Sequence, residues 1–294
     1  MSKNDKDFEL SPILIGSTLA QNAISIYDVD NDSMYSIDGL RFELSINPDD
    51  FEAVSLALDT FGNPQFFSGS NRIGTYRYFW TWREDEFTVA LGFGLNGTGK
   101  CNIGKGFLDY NPNKVPDDFI CRLYRCIDHF ANSRLVRWDL AIDFPLVRDA
   151  VRMIKDGRNY ECVISSSITE YLGQRSHAGR VKVYDKQAEA GLDFPCTRVE
   201  LTCDGSWDVD KIVSQLPTVY FLDSGFNSLS GVTRAFALAV QALSASGDAF
   251  EPWLRLVSPK TKTKIRSVLS EHIALSFSKS CIHRVISHLD DYSL

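Results

Sequence analysis

The chain has 294 residues, of which 44% are hydrophobic and 23% are charged, so it can bury a full core in one large or two modest domains. A net charge of -7 argues against a protein coated in nucleic-acid-binding surface, but it leaves room for a local basic patch. The seven cysteines are scattered and include no C-x-x-C pair, which argues against a disulfide framework or a zinc knuckle. No apolar run approaches the roughly 18 residues of a membrane span, and the first residues lack the apolar segment of a signal peptide. The sequence therefore predicts a cytoplasmic protein with no membrane partner.

The first predicted unit covers residues 35–114. Residues 1–34 mix Asp, Asn and Ser and are predicted to form a loosely attached N-terminal arm. Phe42, Leu44 and Ile46 then alternate with polar residues, as on a half-buried strand. A helix is predicted from Pro48 to about Phe61, and strands are predicted over residues 75–82, 86–93 and 100–107. This order is β-α-β-β-β.

The same alternation restarts 96 residues later, where Trp138, Leu140 and Ile142 take corresponding positions. A capping signal predicts a helix over residues 115–131 before this strand. A helix over residues 147–155 and strands over residues 161–167, 169–174, 181–186 and 198–203 are predicted after it. We interpret residues 115–204 as a second copy of the unit. Two copies predict an α+β fold, with a mostly antiparallel sheet and helices on one face.

Residues 205–294 show mainly a helical period, with helices predicted over residues 209–216, 232–246, 249–256 and 262–289. This helical C-terminal region also carries the clearest basic run. No acidic residue lies between Glu251 and Glu271, whereas five basic residues do: Arg255, Lys260, Lys262, Lys264 and Arg266. Such a run is usually a solvated face, and a nucleic-acid contact is the functional alternative.

Residues 92–97 match G-x-G-x-x-G, and residues 94–100 match part of a P-loop. Both motifs need a helix directly after the glycines to hold phosphate, whereas here a strand pattern follows. We therefore interpret this segment as a hairpin turn. The five histidines offer no His-x-His pair for a metal site.

Several chemically active side chains are predicted to share one face of the second unit. Side chains alternate along a strand, so residues on the face opposite the apolar positions point the same way. If the strands are neighbours, one sheet face presents Lys182, Tyr184, Lys186, Asp139, Asp143 and Glu200. Carboxylates suit Mg²⁺ or Mn²⁺, and a tyrosine beside a metal-bound phosphodiester can attack it. The alternative is a set of ordinary solvent-facing strand residues.

Four segments in order resemble the signature of the Rep_trans replication initiators of rolling-circle plasmids. They are residues 137–144 (RWDLAIDF), 169–176 (TEYLGQRS), 180–189 (RVKVYDKQAE) and 197–201 (TRVEL). The resemblance covers roughly residues 100–205, and more weakly the basic stretch from Lys260 to Glu271. Two departures are Lys182, where the family often has Arg, and residues 176–179, which replace a Ser-Asp pair.

The resemblance implies nicking of one strand at a plasmid or phage origin, a 5'-phosphotyrosine link and a 3'-OH that primes rolling-circle replication. It implies Tyr184 as the nucleophile with Lys186 beside it, and Mg²⁺ or Mn²⁺ at Asp139, Asp143 and Glu200. It implies phosphate contacts from Arg175, Lys182 and Arg198. The run Lys260, Lys262, Lys264 and Arg266 is the candidate for duplex origin contacts. Expected partners are origin DNA, as duplex and as a single-stranded hairpin loop, and a second copy of the chain, with a host helicase as a further candidate.

Three other functions stay open at this point. A conjugative relaxase of the related MOBT group would use the same site to start transfer. A non-catalytic origin-binding regulator would keep the fold and have a damaged metal site. A metal-dependent nuclease would use water, with Tyr184 structural. What favours the phenolate of Tyr184 is also open among Lys182 with Lys186, the metal and a general base.

Overall fold

A computed structural model describes residues 25–68, 76–84, 87–96, 101–127, 130–221, 254–263, 265 and 274–289. The first half contains β1 (Ser25–Asp28), β2 (Ser33–Ile46), α1 (Phe51–Thr60), β3 (Gln65–Ser68), β4 (Tyr76–Arg83), β5 (Thr88–Asn96), β6 (Cys101–Tyr110) and α2 (Asp117–Ile127). The second half contains β7 (Ala131–Phe144), β8 (Val151–Met153), β9 (Tyr160–Ile164), β10 (Ile168–Leu172), β11 (Val181–Asp185), α3 (Lys186–Ala190), β12 (Thr197–Asp204), α4 (Val209–Gln215), β13 (Val219–Phe221) and α5 (Lys279–Ser287).

Eleven strands form one sheet in the order β3-β4-β5-β6-β2-β7-β12-β11-β10-β9, with β1 added beside β2. Every pairing among the described strands is antiparallel. The two 14-residue strands β2 and β7 lie together at the centre, and each begins one half of the sheet. This arrangement confirms the predicted α+β fold with a mostly antiparallel sheet, although the second half lacks the helix of the predicted β-α-β-β-β unit.

The core lies on one face of the sheet, where the helices pack. Phe42 and Leu140 of the two central strands, for example, are at most 1% exposed. In the first half, Leu58 of α1 and Leu123 of α2 are fully buried in the same core. In the second half, Ile282 of α5 is fully buried there too. Because the helices occupy one face, the opposite face of the second half is free to carry polar side chains.

The predicted helix over residues 147–155 is wrong. The chain forms a 3-10 turn at Arg148–Ala150 and then the strand β8, which pairs with β13. All three residues of β8 are buried, Arg152 included, and the alternation in Val151–Met153 is too short to distinguish a strand from a helix. Arg148 Nη1 donates to the carbonyl of Val151 over 2.6 Å, which stabilises the turn. Pairing with a strand nearly 70 residues away overrides a local helical pattern.

The predicted helix over residues 262–289 is wrong over residues 274–278, which are not helical. Ala274 forms a β-bridge with Tyr220, and Leu275 N donates to the Val219 carbonyl over 2.7 Å. Ser278 then caps α5, because its side chain accepts a hydrogen bond from Cys281 N. The predicted helix over residues 209–216 is confirmed as α4. The predictions over residues 232–246 and most of 249–256 lie outside the described residues.

The N-terminal arm predicted over residues 1–34 is too long at its C-terminal end. Residues 25–28 form β1 and residues 33–34 begin β2, so both belong to the sheet. Residues 1–24 lie outside the described part of the chain.

Helix α2, which the sequence assigned to the second unit, packs beside α1 of the first unit, where the ring centroids of Phe61 and Phe119 are 5.2 Å apart. None of the described helices is long and apolar enough to cross a membrane.

Candidate functional site

The register of β7, β12, β11 and β10 brings the predicted polar residues onto one face of the sheet. Glu200 of β12 lies opposite Ala141 of β7 on one side and opposite Lys182 of β11 on the other. Lys182 in turn lies opposite Tyr171 of β10. In the next row, Asp143, Arg198 and Tyr184 lie side by side. The residues between them, such as Val183, are fully buried on the core face.

A cleft of about 480 Å³ lies on this face. It is lined by residues of β7, β9, β10, β11 and β12 and of the loop between β10 and β11: Arg137, Asp139, Glu161, Val163, Tyr171, Arg175, Ser176, Arg180, Lys182, Glu200 and Thr202. Four of these residues are cationic and three are anionic. The cleft therefore combines basic side chains with a few carboxylates.

The four cleft cations, Arg137, Arg175, Arg180 and Lys182, form no salt bridge with any residue that the structure describes. Cationic side chains left without a carboxylate partner at an open surface are available to an anionic ligand.

The corresponding surface of the first half is different. There Arg41 pairs with Asp109, while Lys105 and Arg134 lie 3.0 and 2.8 Å from the Glu43 carboxylate. Lys105 lies opposite Ser45, as Glu200 lies opposite Ala141 in the second half. The two surfaces thus share strand positions, but in the first half the charges neutralise one another.

Tyr184 lies next to the cleft residues Lys182 and Glu200 on the same sheet face and is only 5% exposed. Its hydroxyl donates to Glu200 Oε2 over 3.4 Å, and Lys182 Nζ lies 3.6 Å from the centroid of its ring. Burial raises the pKa of the Tyr184 phenol; Arg198 opposes this increase and the Glu200 carboxylate adds to it. In this arrangement the phenol is neutral, and Lys182 covers its ring.

Glu200 and Asp139 are the two carboxyls of the cleft whose pKa is raised. Burial raises the pKa of Glu200 to about 7; Lys182 opposes this increase, and the Asp38 and Asp139 carboxylates add to it. Burial also raises the pKa of Asp139. Asp139 Oδ1 is buried and has no hydrogen-bond partner among the described residues. The cleft therefore holds two carboxyl groups that resist ionisation, one of them with an unsatisfied oxygen.

Gly39 of β2 makes room for the Asp139 carboxylate. A Cβ atom at Gly39 would lie 2.7 Å from Asp139 Oδ2, which is closer than real Cβ contacts. The two residues are direct neighbours across β2 and β7. A side chain at this position of β2 would displace the Asp139 carboxylate.

Asp143 and Arg198 form a buried ion pair instead of the metal ligand and phosphate contact expected of them. Arg198 Nε and Nη2 donate to the two oxygens of Asp143, each over 2.7 Å, and Nη1 donates to Asp38 Oδ1 over 2.7 Å. The Arg198 side chain is 4% exposed. Burial would lower the pKa of Arg198, but Asp143 and Asp38 raise it well above its ordinary value. Because its donors are occupied by carboxylates, Arg198 acts here as an internal counter-ion.

Asp38 is a site residue that the sequence analysis missed. A β-bulge between Ile37 and Gly39 inserts it as an extra residue in β2, and such bulges re-aim side chains. Burial would raise the pKa of Asp38, but Arg198 and Lys186 lower it below its ordinary value. Strict alternation places Asp38 on the core side of β2, so only the adjacent glycine could have signalled a bulge in the sequence.

The remaining predicted residues are more dispersed. Lys186 begins α3 and is 6% exposed, with Nζ 2.6 Å from Glu189 Oε2. Arg175 is exposed in the loop after β10 and lines the cleft. Lys260 is exposed and Lys262 is half-buried. Lys264 and Arg266 lie outside the described residues.

The described residues contain no cluster of three or more His, Cys, Asp or Glu side chains that could hold a metal ion. Magnesium is commonly held by one or two protein carboxylates together with substrate phosphates. Asp139 and Glu200 fit this smaller donor set, because both are hard oxygen donors and Asp139 has an unpartnered buried oxygen. Asp143 does not fit it, because both of its oxygens accept hydrogen bonds from Arg198.

Comparison with known proteins gives a distant structural likeness. No protein-family model matches the chain, and no curated protein matches it. Among solved structures, the chain is similar to that of a rolling circle replication initiator protein from Geobacillus stearothermophilus. The TM-score is 0.35 and the identity 15%, over 72% of this chain and 96% of that one. A structural likeness at this level of similarity does not show what the chain does.

Proposed function

We propose that this chain is a replication initiator that nicks one strand of a plasmid or phage origin through Tyr184. The observation that carries the proposal is the cleft: it is lined by Asp139, Glu200 and four cations that form no salt bridge with the described residues, and the Tyr184 hydroxyl lies 3.4 Å from Glu200. Unpaired cations suit a phosphodiester, and a phenol beside a carboxyl suits nucleophilic attack with proton transfer.

Phosphate binding is assigned to Arg137, Arg175 and Lys182, which line the cleft. Lys182 is central, because its ammonium group also lies over the Tyr184 ring. A phosphate that attracts this ammonium would draw it off the ring and lie next to the phenol. Substrate binding and exposure of the nucleophile are coupled in this way.

In the reaction the Tyr184 oxygen attacks phosphorus, the bond from phosphorus to the 3'-oxygen breaks, and a 5'-phosphotyrosine and a 3'-OH result. Glu200 takes the phenol proton, since it is the hydrogen-bond acceptor of Tyr184 and its pKa of about 7 suits a general base at neutral pH. The 3'-oxygen leaves, takes up a proton from solvent and becomes the 3'-OH primer. Arg198 supports this step, because its charge favours the phenolate.

Asp139 would hold Mg²⁺ or Mn²⁺ together with the substrate phosphate, and the ion would supply charge neutralisation at the phosphate oxygens and the leaving oxygen, while Glu200 is kept as the base. Asp139→Ala is expected to lose cleavage and to keep DNA binding, which a filter-binding assay would measure beside the cleavage assay. Asp109→Ala is the matched control on the first half, and it should cleave normally. Normal cleavage by Asp139→Ala at ordinary metal concentration would contradict the assignment.

The test of the proposal is a covalent adduct. The protein is incubated with labelled supercoiled DNA that carries its own coding sequence and flanking DNA, with Mg²⁺ or Mn²⁺, and then denatured. We expect a protein-DNA adduct that Tyr184→Phe abolishes and Tyr171→Phe retains. An adduct formed by Tyr184→Phe would refute the nucleophile assignment. Cleavage without any adduct would instead support a nuclease that uses water.

Duplex origin contacts are assigned to the basic run Lys260, Lys262, Lys264 and Arg266. A variant with alanine at the three lysines should bind origin duplex more weakly and with a shallower salt dependence, because each lost phosphate contact lowers the salt slope by about 1. Unchanged binding would place the duplex contact elsewhere. A second copy of the chain and a host helicase remain predicted partners.

A further inference from the structure

Tyr171 has no part in the proposed nicking step, yet its ring is placed against the cleft. The Arg180 guanidinium carbon lies 4.6 Å from the centroid of this ring, and both side chains line the cleft. Arg180 forms no salt bridge within the described part of the chain, so its charge is not taken up by a carboxylate. Aromatic rings and arginine guanidinium planes are the groups on which proteins stack unpaired nucleobases.

We propose that Tyr171 and Arg180 form a stacking platform that receives one unpaired nucleobase of the strand to be nicked. The proposal rests on the proposed function, because it takes the cleft as the DNA site. Tyr171 lies directly opposite Lys182, and Lys182 lies over the Tyr184 ring. A base on the platform therefore belongs to a nucleotide adjoining the phosphate that Lys182 holds beside Tyr184.

The platform makes the cleft bind single-stranded DNA in preference to duplex DNA. In a duplex both faces of a base are covered by its neighbours in the stack, so no face is free for Tyr171 or Arg180. An unpaired base, in a hairpin loop or a melted segment, has a free face and can extend the Tyr171 and Arg180 stack. The selection acts on base pairing and is tolerant of base identity, since every base has an aromatic face.

The first half of the sheet offers an internal control. Arg41 lies 5.4 Å from the centroid of the Phe107 ring, which is a similar contact of a cation with an aromatic ring. Arg41, however, is paired with Asp109. Arg180→Lys and Arg41→Lys are thus matched changes that keep the charge and remove the planar guanidinium, one in the cleft and one outside it.

The experiment uses a short oligo(dT) with one central 2-aminopurine, whose fluorescence falls when the base stacks. The full chain carries Tyr184→Phe, and no divalent metal is added, so binding is measured without cleavage. We expect quenching on binding, retained by Tyr171→Phe and Arg41→Lys, reduced by Arg180→Lys and lost in Tyr171→Leu. Tyr171→Leu should also weaken binding about 5- to 150-fold. The same probe annealed to its complement should show no change.

Binding without quenching would overturn the proposal, as would equal quenching by the Tyr171→Leu and Tyr171→Phe variants. If Tyr171→Leu does not fold, judged by its circular dichroism melt, the comparison of Arg180→Lys with Arg41→Lys decides: equal quenching by these two overturns the proposal. Failure of the nicking proposal is seen separately. Quenching by the Tyr184→Phe protein with no adduct from the wild type supports the platform and refutes nicking, and an adduct without quenching does the reverse.

Discussion

Glu200 allows a quantitative test of the electrostatics of the cleft. Its ordinary pKa of 4.5 is raised to about 7 in the folded chain, first by burial. A carboxyl whose pKa is higher in the folded state stabilises the fold below pH 4.5, where it is neutral in both states, and loses this contribution as pH rises through about 7. The difference between these two pKa values amounts to about 3 kcal/mol, since a tenfold change in an equilibrium constant is about 1.4 kcal/mol. Glu200→Gln removes the titration.

The assay is urea unfolding of wild type and Glu200→Gln, without metal, from about pH 4.5 to about pH 8. The free energy of unfolding of the wild type should fall relative to that of the variant by about 3 kcal/mol across this interval, because other groups titrate in both proteins and cancel. Glu43→Gln is the control, because hydrogen bonds from Lys105 and Arg134 lower the pKa of Glu43. The free energy of unfolding of the wild type, relative to that of this variant, should therefore not fall as pH rises. If the free energy of unfolding changes with pH in the same way for wild type and Glu200→Gln, Glu200 is not a buried carboxyl with a raised pKa.

Two further predictions concern the support of the site. Asp143→Ala should lower the free energy of unfolding by about 3 kcal/mol in urea titration, because it leaves the buried Arg198 with a single carboxylate; a loss below about 1 kcal/mol would contradict this. Gly39→Ala should destabilise the fold by about 1 to 3 kcal/mol and reduce cleavage, since its Cβ atom would displace the Asp139 carboxylate. Gly157→Ala, which meets nothing within 4 Å, is the control, and equal melting temperatures for the two variants would argue against the crowding.

The predicted helix over residues 147–155 shows how tertiary contacts overrule a local pattern. Val147, Val151 and Ile154 have the i, i+4, i+7 spacing of a helix face, but β8 pairs with β13, which is far away in the sequence. Similarly, Ala274 and Leu275 are kept out of a helix by their backbone contacts with Tyr220 and Val219. The hydrophobic period of a short stretch of sequence does not show which distant strand will pair with it.

The sequence by itself determined that Lys182 and Tyr184 share a strand face, and that Asp139 and Asp143 share another, because side chains alternate along a strand with a period of two. Only the tertiary structure decided how these groups are used. Arg198 and Asp38 are 160 residues apart in the chain, yet a bulge in β2 brings them within 2.7 Å of each other.

The tertiary structure also decided which cations are free. Arg41 of β2 and Arg137 of β7 occupy corresponding strand positions, and Arg41 is paired with Asp109. The cations around Glu43 are paired as well, whereas Arg137, Arg175, Arg180 and Lys182 form no salt bridge with the described residues. Whether a charge is neutralised depends on which side chain lies opposite it on the neighbouring strand. That neighbour is fixed by the strand register, which is set by packing of the whole sheet. Alternation along single strands fixes the face, and pairing between distant strands fixes the chemistry available on it.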